Sequence, residues 1–355
     1  MKSYIPNWLK IVTATLSMFI VILVIVIKVF YSREEYIPVS EISTPKILIP
    51  SENKIDIDTY SIVNAVQGFL SKDNISSEVF AFNNINSEVY NFKNQEFYEI
   101  LSIAKELFRA SDKDILPIKC NDRLDTILLN KTSAKKLKNN VQIDLDDFIE
   151  ACVVKRISLL CKKQRIYNFY LQYGDNFLLC GNQDKNTSGW NISKTLKYME
   201  KPKTISQGKN GDPILSVPYD LKQHGEIEKE YPLGDIMKRE KPLKEDKKLF
   251  PEKTVTLNLA GMKDKAICFI NPAGKNNIIG GVVISDNLFL SRTMANVAQE
   301  KGFAFVEELT SRLRYHDCQY FILYYNPEGQ IESQKSFGLD VKEKDNCFNI
   351  SFYGR

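Results

Sequence analysis

Histidine is almost missing from this chain: its 355 residues include only His224 and His316. Neither stands at a zinc-ligand spacing, which leaves little room for a His-based metal centre or triad. A strong charge of one sign is missing too. Against 48 Lys and Arg stand 44 Asp and Glu, for a net charge of +4. Without a basic field the chain is not expected to bind nucleic acid. The seven cysteines contain no CxxC pair, so they supply neither a zinc knuckle nor a dithiol redox motif. Cys152, Cys161, Cys180 and Cys268 fall in apolar runs and read as small buried residues. An odd number of cysteines leaves a free thiol in an oxidising compartment, a point against export. Gly280-Gly281 lacks the strand–GxGxxG–helix context of a dinucleotide fingerprint.

What the chain does have is one long apolar run near its amino terminus. Residues 11–27, IVTATLSMFIVILVIVI, carry no charge, and Val29, Phe30 and Tyr31 continue it past Lys28. Roughly 20 helical residues cross a bilayer core. Trp8 and Tyr31 suit the interfacial belts, and Lys28 can snorkel. No small-residue cleavage site follows, so an uncleaved signal anchor is expected. Lys2 and Lys10 precede it, while Arg33 is offset by Glu34 and Glu35, which favours an inside amino terminus. The expected organisation is a single-pass protein of the inner (cytoplasmic) membrane with its main domain outside the cytoplasm. A transmembrane signal anchor spans 1–31 and touches the bilayer through 11–30. A linker with Pro38, Pro45 and Pro50 spans 32–54, a folded domain 55–340, and a C-terminal strand or tail 341–355.

Periodicity orders the folded part. FYEILSIAKELFR (97–109) puts Leu101, Ala104, Leu107 and Phe108 on one side of a helix. A second helix is expected over 148–160, with Asp146 and Asp147 at its start, where acids complement the helix dipole. IYNFYLQYGDNFLLCGN predicts two strands about a Gly174-Asp175-Asn176 turn. Residues 196–253, rich in Pro, Lys and Glu, predict an exposed insertion. TVTLNLAG, KAICFINP and NIIGGVVIS predict strands. Residues 290–313 predict two helices broken at Gly302, and YFILYYNPEGQIESQ a strand, a turn and a strand. Mixed sheets with packed helices make the class α+β.

Several stretches arrive in a telling order. They are Ser77-Glu78-Val79 with Asn83, then FYEILSIAKELFRASDKDILP (97–117), then DLDDFIEACVVK (144–155). LQYGDNFLLCGN follows, with Trp190 behind it, then CFINP, LSRTMANVAQEKG and YNPEGQI. Together, over residues 55–337, they resemble the FAD:protein FMN transferase family, also called the ApbE family. The corresponding family signatures include T-D-G-A-F-D-P, D-L-G-G-I-A-K-G-Y-A-V-D, V-N-x-G-G-D-I-R-x-x-G, H-I-I-D-P and A-D-A-L-A-T. The resemblance implies an ApbE-like fold, and FAD and magnesium as ligands. It implies cleavage of the FAD pyrophosphate and attachment of the FMN half to a Ser or Thr of a target protein, with the cation neutralising charge.

The positions equivalent to the family site are Ser111, Asp112, Asp147, Glu150, Gly174, Asp175, Cys268, Asn271, Arg292 and Asn296. Most of them depart from the family. Arg292 replaces the magnesium Asp, Asn296 the motif Thr and Glu150 the Lys. Asp146 and Asp147 replace a Gly pair, Cys268 and Asn271 the His and Asp of H-I-I-D-P, and Lys113 the Gly of T-D-G-A. Arginine repels magnesium, and a glutamate at 150 repels pyrophosphate. No catalytic residue is expected to be retained, and no metal site. The resulting expectation is a membrane-anchored pseudoenzyme that binds flavin or protein, with an envelope protein or flavoprotein as partner. Arg292 is expected to fill the cation's position and pair with Asp147. Two alternatives stay open: an active transferase whose cation site is rebuilt from Asp112, Asp114, Asp146 and Asp147, and a structural envelope component that uses 196–253 as its contact surface.

Overall fold

The computed structural model describes residues 36–39, 42–50, 57–86, 89–184, 187–199, 252–271, 277–313, 317–326 and 331–336, together with Met18 and short strands at 204–207, 213–215, 341–343 and 350–351. The chain divides into two units, Met1–Ile37 and Pro38–Arg355, and the architecture below belongs to the second. Apart from Met18, the apolar run 11–27 lies outside the described residues. Among the described residues no helix is long and apolar enough to cross a membrane.

After a two-residue strand at Ile37–Pro38, the elements are strand β1 (Lys46–Leu48), helices α1 (Thr59–Leu70) and α2 (Glu78–Asn84), strand β2 (Val89–Asn91) and helix α3 (Gln95–Ala110). Side chains close the helix starts, where backbone N–H groups lack partners. Asp58 accepts from Ser61 N at 3.0 Å, and Ser77 accepts from Phe80 N at 2.9 Å. The buried Glu78 carboxylate accepts from Lys93 N at 2.6 Å and Asn94 N at 3.1 Å, so it closes the approach to α3. The helix then buries Phe97, Ile100, Leu101, Ala104, Leu107 and Phe108 as its spacing predicts.

Four short strands follow: β3 (Lys119–Cys120), β4 (Ile127–Leu129), β5 (Ser133–Lys136) and β6 (Ile143–Asp144). They make a three-stranded sheet in the order β2-β5-β4 and a β3–β6 pair. Lys136 is fully buried. Its ammonium donates to the carbonyls of Asn83 (2.8 Å), Asn139 (3.3 Å) and Val141 (3.2 Å), which ties the turn before β6 to the end of α2. Asn83 completes the tie by donating to Ile143 O and accepting from Ile143 N, each at 2.9 Å.

A 3-10 turn at Asp146–Phe148 leads into helix α4 (Ile149–Lys163). Strands β7 (Phe169–Tyr173), β8 (Asn176–Cys180), β9 (Trp190–Met199), β10 (Glu252–Met262), β11 (Lys265–Ile270) and β12 (Ile278–Ser285) come next. Helices α5 (Leu288–Lys301) and α6 (Phe303–Arg312) and strands β13 (Gln319–Tyr325), β14 (Ile331–Lys335), β15 (Val341–Glu343) and β16 (Ile350–Ser351) complete the chain. The main sheet has eight strands in the order β16-β14-β13-β12-β11-β8-β7-β1, antiparallel except for β14–β16. Helices α4 and α5 cover one face. On the other face Tyr170, Phe177, Trp190 and Phe269 form an aromatic chain with ring centroids 5.3 to 6.0 Å apart. A second sheet, containing β9, β10 and β15 in that order, packs there. Covered on both sides, β12 is buried at every residue. Its two glycines keep the layers close: a Cβ on Gly281 would stand 2.4 Å from Phe321 O, and one on Gly280 would stand 3.1 Å from Leu196.

Two expected boundaries move. β1 lies within the expected linker, yet it pairs Lys46 with Gln172 and Leu48 with Tyr170, because the edge of β7 has free backbone groups to satisfy. β9 runs through Met199, so Leu196 and Tyr198, placed in the exposed insertion, are core residues. The Gly302 break between α5 and α6 is present, at φ +91.

Candidate functional site

Asn287 caps α5 by accepting from Phe289 N at 2.9 Å, and Arg292 sits one turn in. Its Nη1 donates to Cys268 Sγ on β11 at 3.8 Å, while its Nε is buried with no partner. Asn296 lies one turn further along the same helix face. Burial works against the Arg292 charge. The Cys268 thiol, Asp147 and Glu150 outweigh it and hold the guanidinium above the ordinary arginine range. The expected direct pair with Asp147 is not formed. Asp147 takes Lys119 at 3.0 Å, and among the described residues no carboxylate comes within 4.0 Å of Arg292. The reason is exposure: Lys119 is half in water on β3, so pairing it with the half-buried Asp147 desolvates little.

Glu150, in the first turn of α4, points at the β7–β8 turn. Gly174 there has φ +54, and a Cβ on it would stand 2.1 Å from Glu150 Oε2. Glycine suits the left-handed backbone, and any larger residue would also push the Glu150 carboxylate aside. Asn176 Nδ2 donates to Glu150 Oε2 at 3.0 Å. Burial pushes the Glu150 carboxyl up, against the pull of Arg292 and with a further push from Asp175. Asp175 in turn accepts from Asn271 Nδ2 and pairs with Lys194 at 3.5 Å, while its carbonyl takes Phe269 N at 3.0 Å. Asn271 O accepts from Gln299 on α5 at 3.3 Å.

Glu150, Gly174, Asp175, Cys268, Asn271 and Arg292 therefore meet, brought in by α4, the β7–β8 turn, β11 and α5. Ser111 and Asp112 are engaged elsewhere. Ser111 Oγ donates to Phe108 O at 3.0 Å at the end of α3, and Asp112 takes Arg312 of α6 at 2.6 Å. Asp112 and Lys113 are both left-handed, with φ of 53 and 70. A left-handed backbone favours glycine, and here Asp112 and Lys113 hold it with side chains.

Asn176 and Lys194 were not singled out in the sequence. Strand alternation carries a signal for Lys194: Ile192, Lys194, Leu196 and Tyr198 share the inward face of β9, so a lysine there needs an acid. Nothing comparable marks Asn176. Beside this region a cavity of about 500 Å³ is lined by Lys72, Asn83, Lys119, Cys120, Asp144 and Glu300, among others. Lys72 reaches Asp144 there at 2.6 Å.

Magnesium takes hard oxygen ligands in an octahedron. The groups gathered here are a guanidinium, an amide, a thiol that burial pushes up to about 11 and so stays protonated, and two carboxylates already engaged, Glu150 with Asn176 and Asp175 with Lys194 and Asn271. These do not fit the ion. Asp112, Asp114, Asp146 and Asp147 do not rebuild a site either. Asp112 and Asp147 have their own cations, and no three His, Cys, Asp or Glu side chains among the described residues are arranged to hold a metal.

No family model and no curated protein matches the sequence. Solved structures do match. Against the flavin transferase ApbE from Vibrio cholerae the TM-score is 0.50 at 12% identity, with 84% of this chain and 95% of that chain covered. A point mutant of the same protein gives 0.51 at 12% identity, covering 82% and 93%. The flavinyl transferase ApbE from Pseudomonas stutzeri, in its apo form, gives 0.50 at 10% identity, covering 79% and 84%. The chain has the fold of the ApbE flavin transferases. Identity this low concerns the fold alone. In this chain the α4 start, the Gly174 turn, β11 and α5 stand together, and their polar residues form contacts among themselves.

Proposed function

We propose that this chain is a membrane-anchored protein of the ApbE fold that binds a flavin nucleotide, or a flavoprotein partner, without transferring FMN. The supporting observation is Arg292: a positive side chain, in contact with a neutral thiol, stands at the position equivalent to the family's magnesium carboxylate. Glu150 adds to it, since a carboxylate against Gly174 replaces the lysine that would face a nucleotide. The cavity beside α5 and the β3–β6 pair offers about 500 Å³ for a ligand. Residues 11–30 carry the anchor in this reading, in the inner membrane with the main domain outside the cytoplasm.

The test is an incubation of full-length protein in detergent micelles with FAD, magnesium and a Ser/Thr acceptor protein. In-gel flavin fluorescence reads transfer, and a thermal shift with FAD reads binding. Binding without a fluorescent acceptor is expected. A fluorescent acceptor overturns the proposal. Neither signal favours a structural envelope component instead.

A further inference from the structure

Among the described residues Arg292 is the one cation of the cluster with no carboxylate within 4.0 Å. Asp147 is taken by Lys119 at 3.0 Å, and Asp175 by Lys194 at 3.5 Å and by Asn271. Glu150 receives Asn176 at 3.0 Å, and burial drives its carboxyl toward the neutral form. Among the described residues Arg292 has one polar contact, Nη1 on the Cys268 thiol at 3.8 Å, and its Nε lies buried without an acceptor. A guanidinium in low dielectric with an idle N–H is costly to keep. Its two-pronged edge matches an oxyanion.

We propose that Arg292 is a receptor for a phosphoryl group, which it holds directly and without a divalent cation. The inference rests on the nucleotide-binding reading above and names its chemistry: the ligand is a phosphate ester or diphosphate bound metal-free. Placement fits a nucleotide. Glu300 lines the cavity and lies eight residues beyond Arg292 on α5, about 12 Å along the axis at 1.5 Å per residue. Arg292 does not itself line the cavity, so a ligand seated there by its ring system would extend its phosphates about that far along α5 to meet the guanidinium. Asn296, on the same helix face, supplies a second donor between the two.

Calorimetry on full-length protein in micelles tests this with pyrophosphate, ADP, FMN, FAD and riboflavin, each in EDTA and again in magnesium. The expected result has three parts. At least one phosphoryl probe binds equally well in both buffers. Arg292→Gln weakens that probe about tenfold or more, and Arg292→Lys weakens it less, since the charge stays while the fork is lost. Riboflavin, which has no phosphate, is unaffected by either change. Binding that needs magnesium overturns the inference, as does Arg292→Gln binding like wild type, or no phosphoryl probe binding at all. If Arg292→Gln does not fold, Arg292→Lys and the EDTA comparison on wild type still decide. Riboflavin binding with no phosphate dependence ends this inference while the flavin-binding reading stands. FMN transfer to an acceptor ends that reading and leaves the Arg292 result to be judged on EDTA alone.

Discussion

Gly174 and Glu150 occupy each other's space: the Cβ that any other residue would bring to position 174 falls 2.1 Å from Glu150 Oε2. The turn and the first helical turn of α4 are therefore mutually dependent. Gly174→Ala is expected to cost about 2 kcal/mol, from left-handed strain and from displacing the carboxylate. Urea denaturation measures it. Adding Glu150→Ala is expected to recover part of the loss, because the collision goes and the strain remains. An alanine variant as stable as wild type would refute the contact.

Glu150 also sets a pH dependence. Its carboxyl ordinarily titrates at 4.5 and is raised in the fold, chiefly by burial. The folded protein thus binds this proton more tightly than the unfolded chain. The stabilisation is fully present below pH 4.5 and is lost as pH rises through the folded value. Glu150→Gln, neutral throughout, is expected to melt above wild type at pH 8 and to converge with it near pH 4. Melting curves across that range check the sign, and parallel profiles for the two proteins would contradict it.

Lys136 is buried with three carbonyls and, among the described residues, no acid within ion-pair distance. Lys136→Met keeps the stem and removes all three donors at once. A loss of about 3 kcal/mol is expected, from carbonyls left dry. Hydrogen exchange is expected to speed up at Val141 and Ile143, which the lysine and Asn83 hold in place. A loss spread evenly over the domain would argue for lost packing instead.

Lys113 is the converse of Gly174, a side chain kept where glycine is easier. At φ 70 its backbone is left-handed, and among the described residues its ion pair is the exposed one to Asp125 at 3.3 Å. Lys113→Gly is expected to raise stability by roughly 0.5–1 kcal/mol, since relief of strain exceeds the lost surface pair. A chemical denaturation midpoint reads the change.

Much of this architecture was legible in the sequence because periodicity reports burial. The spacing of Leu101, Ala104, Leu107 and Phe108 marked α3, and Gly302 marked the break after α5. The Gly174 turn was marked by its own residue types. Other features are set by partners remote in sequence. β1 is a strand because β7 needs a neighbour, which no local pattern of Lys46, Ile47 and Leu48 shows. The choice of Asp147 between Arg292 and Lys119 depends on how two side chains approach across β3 and α5. Charge type alone made both equally good, and the cost of drying each partner decided between them.

β1 carries one more consequence. It is the last strand on its side of the eight-stranded sheet, and it covers β7 from Tyr170 to Gln172. A soluble fragment begun at residue 55, where the apolar pattern resumes, would leave that row of N–H and C=O groups open to any passing strand. Such a fragment is set to assemble edge to edge, and its oligomers would be an artefact of where the gene was cut. Starting the fragment at residue 38 keeps the seam shut.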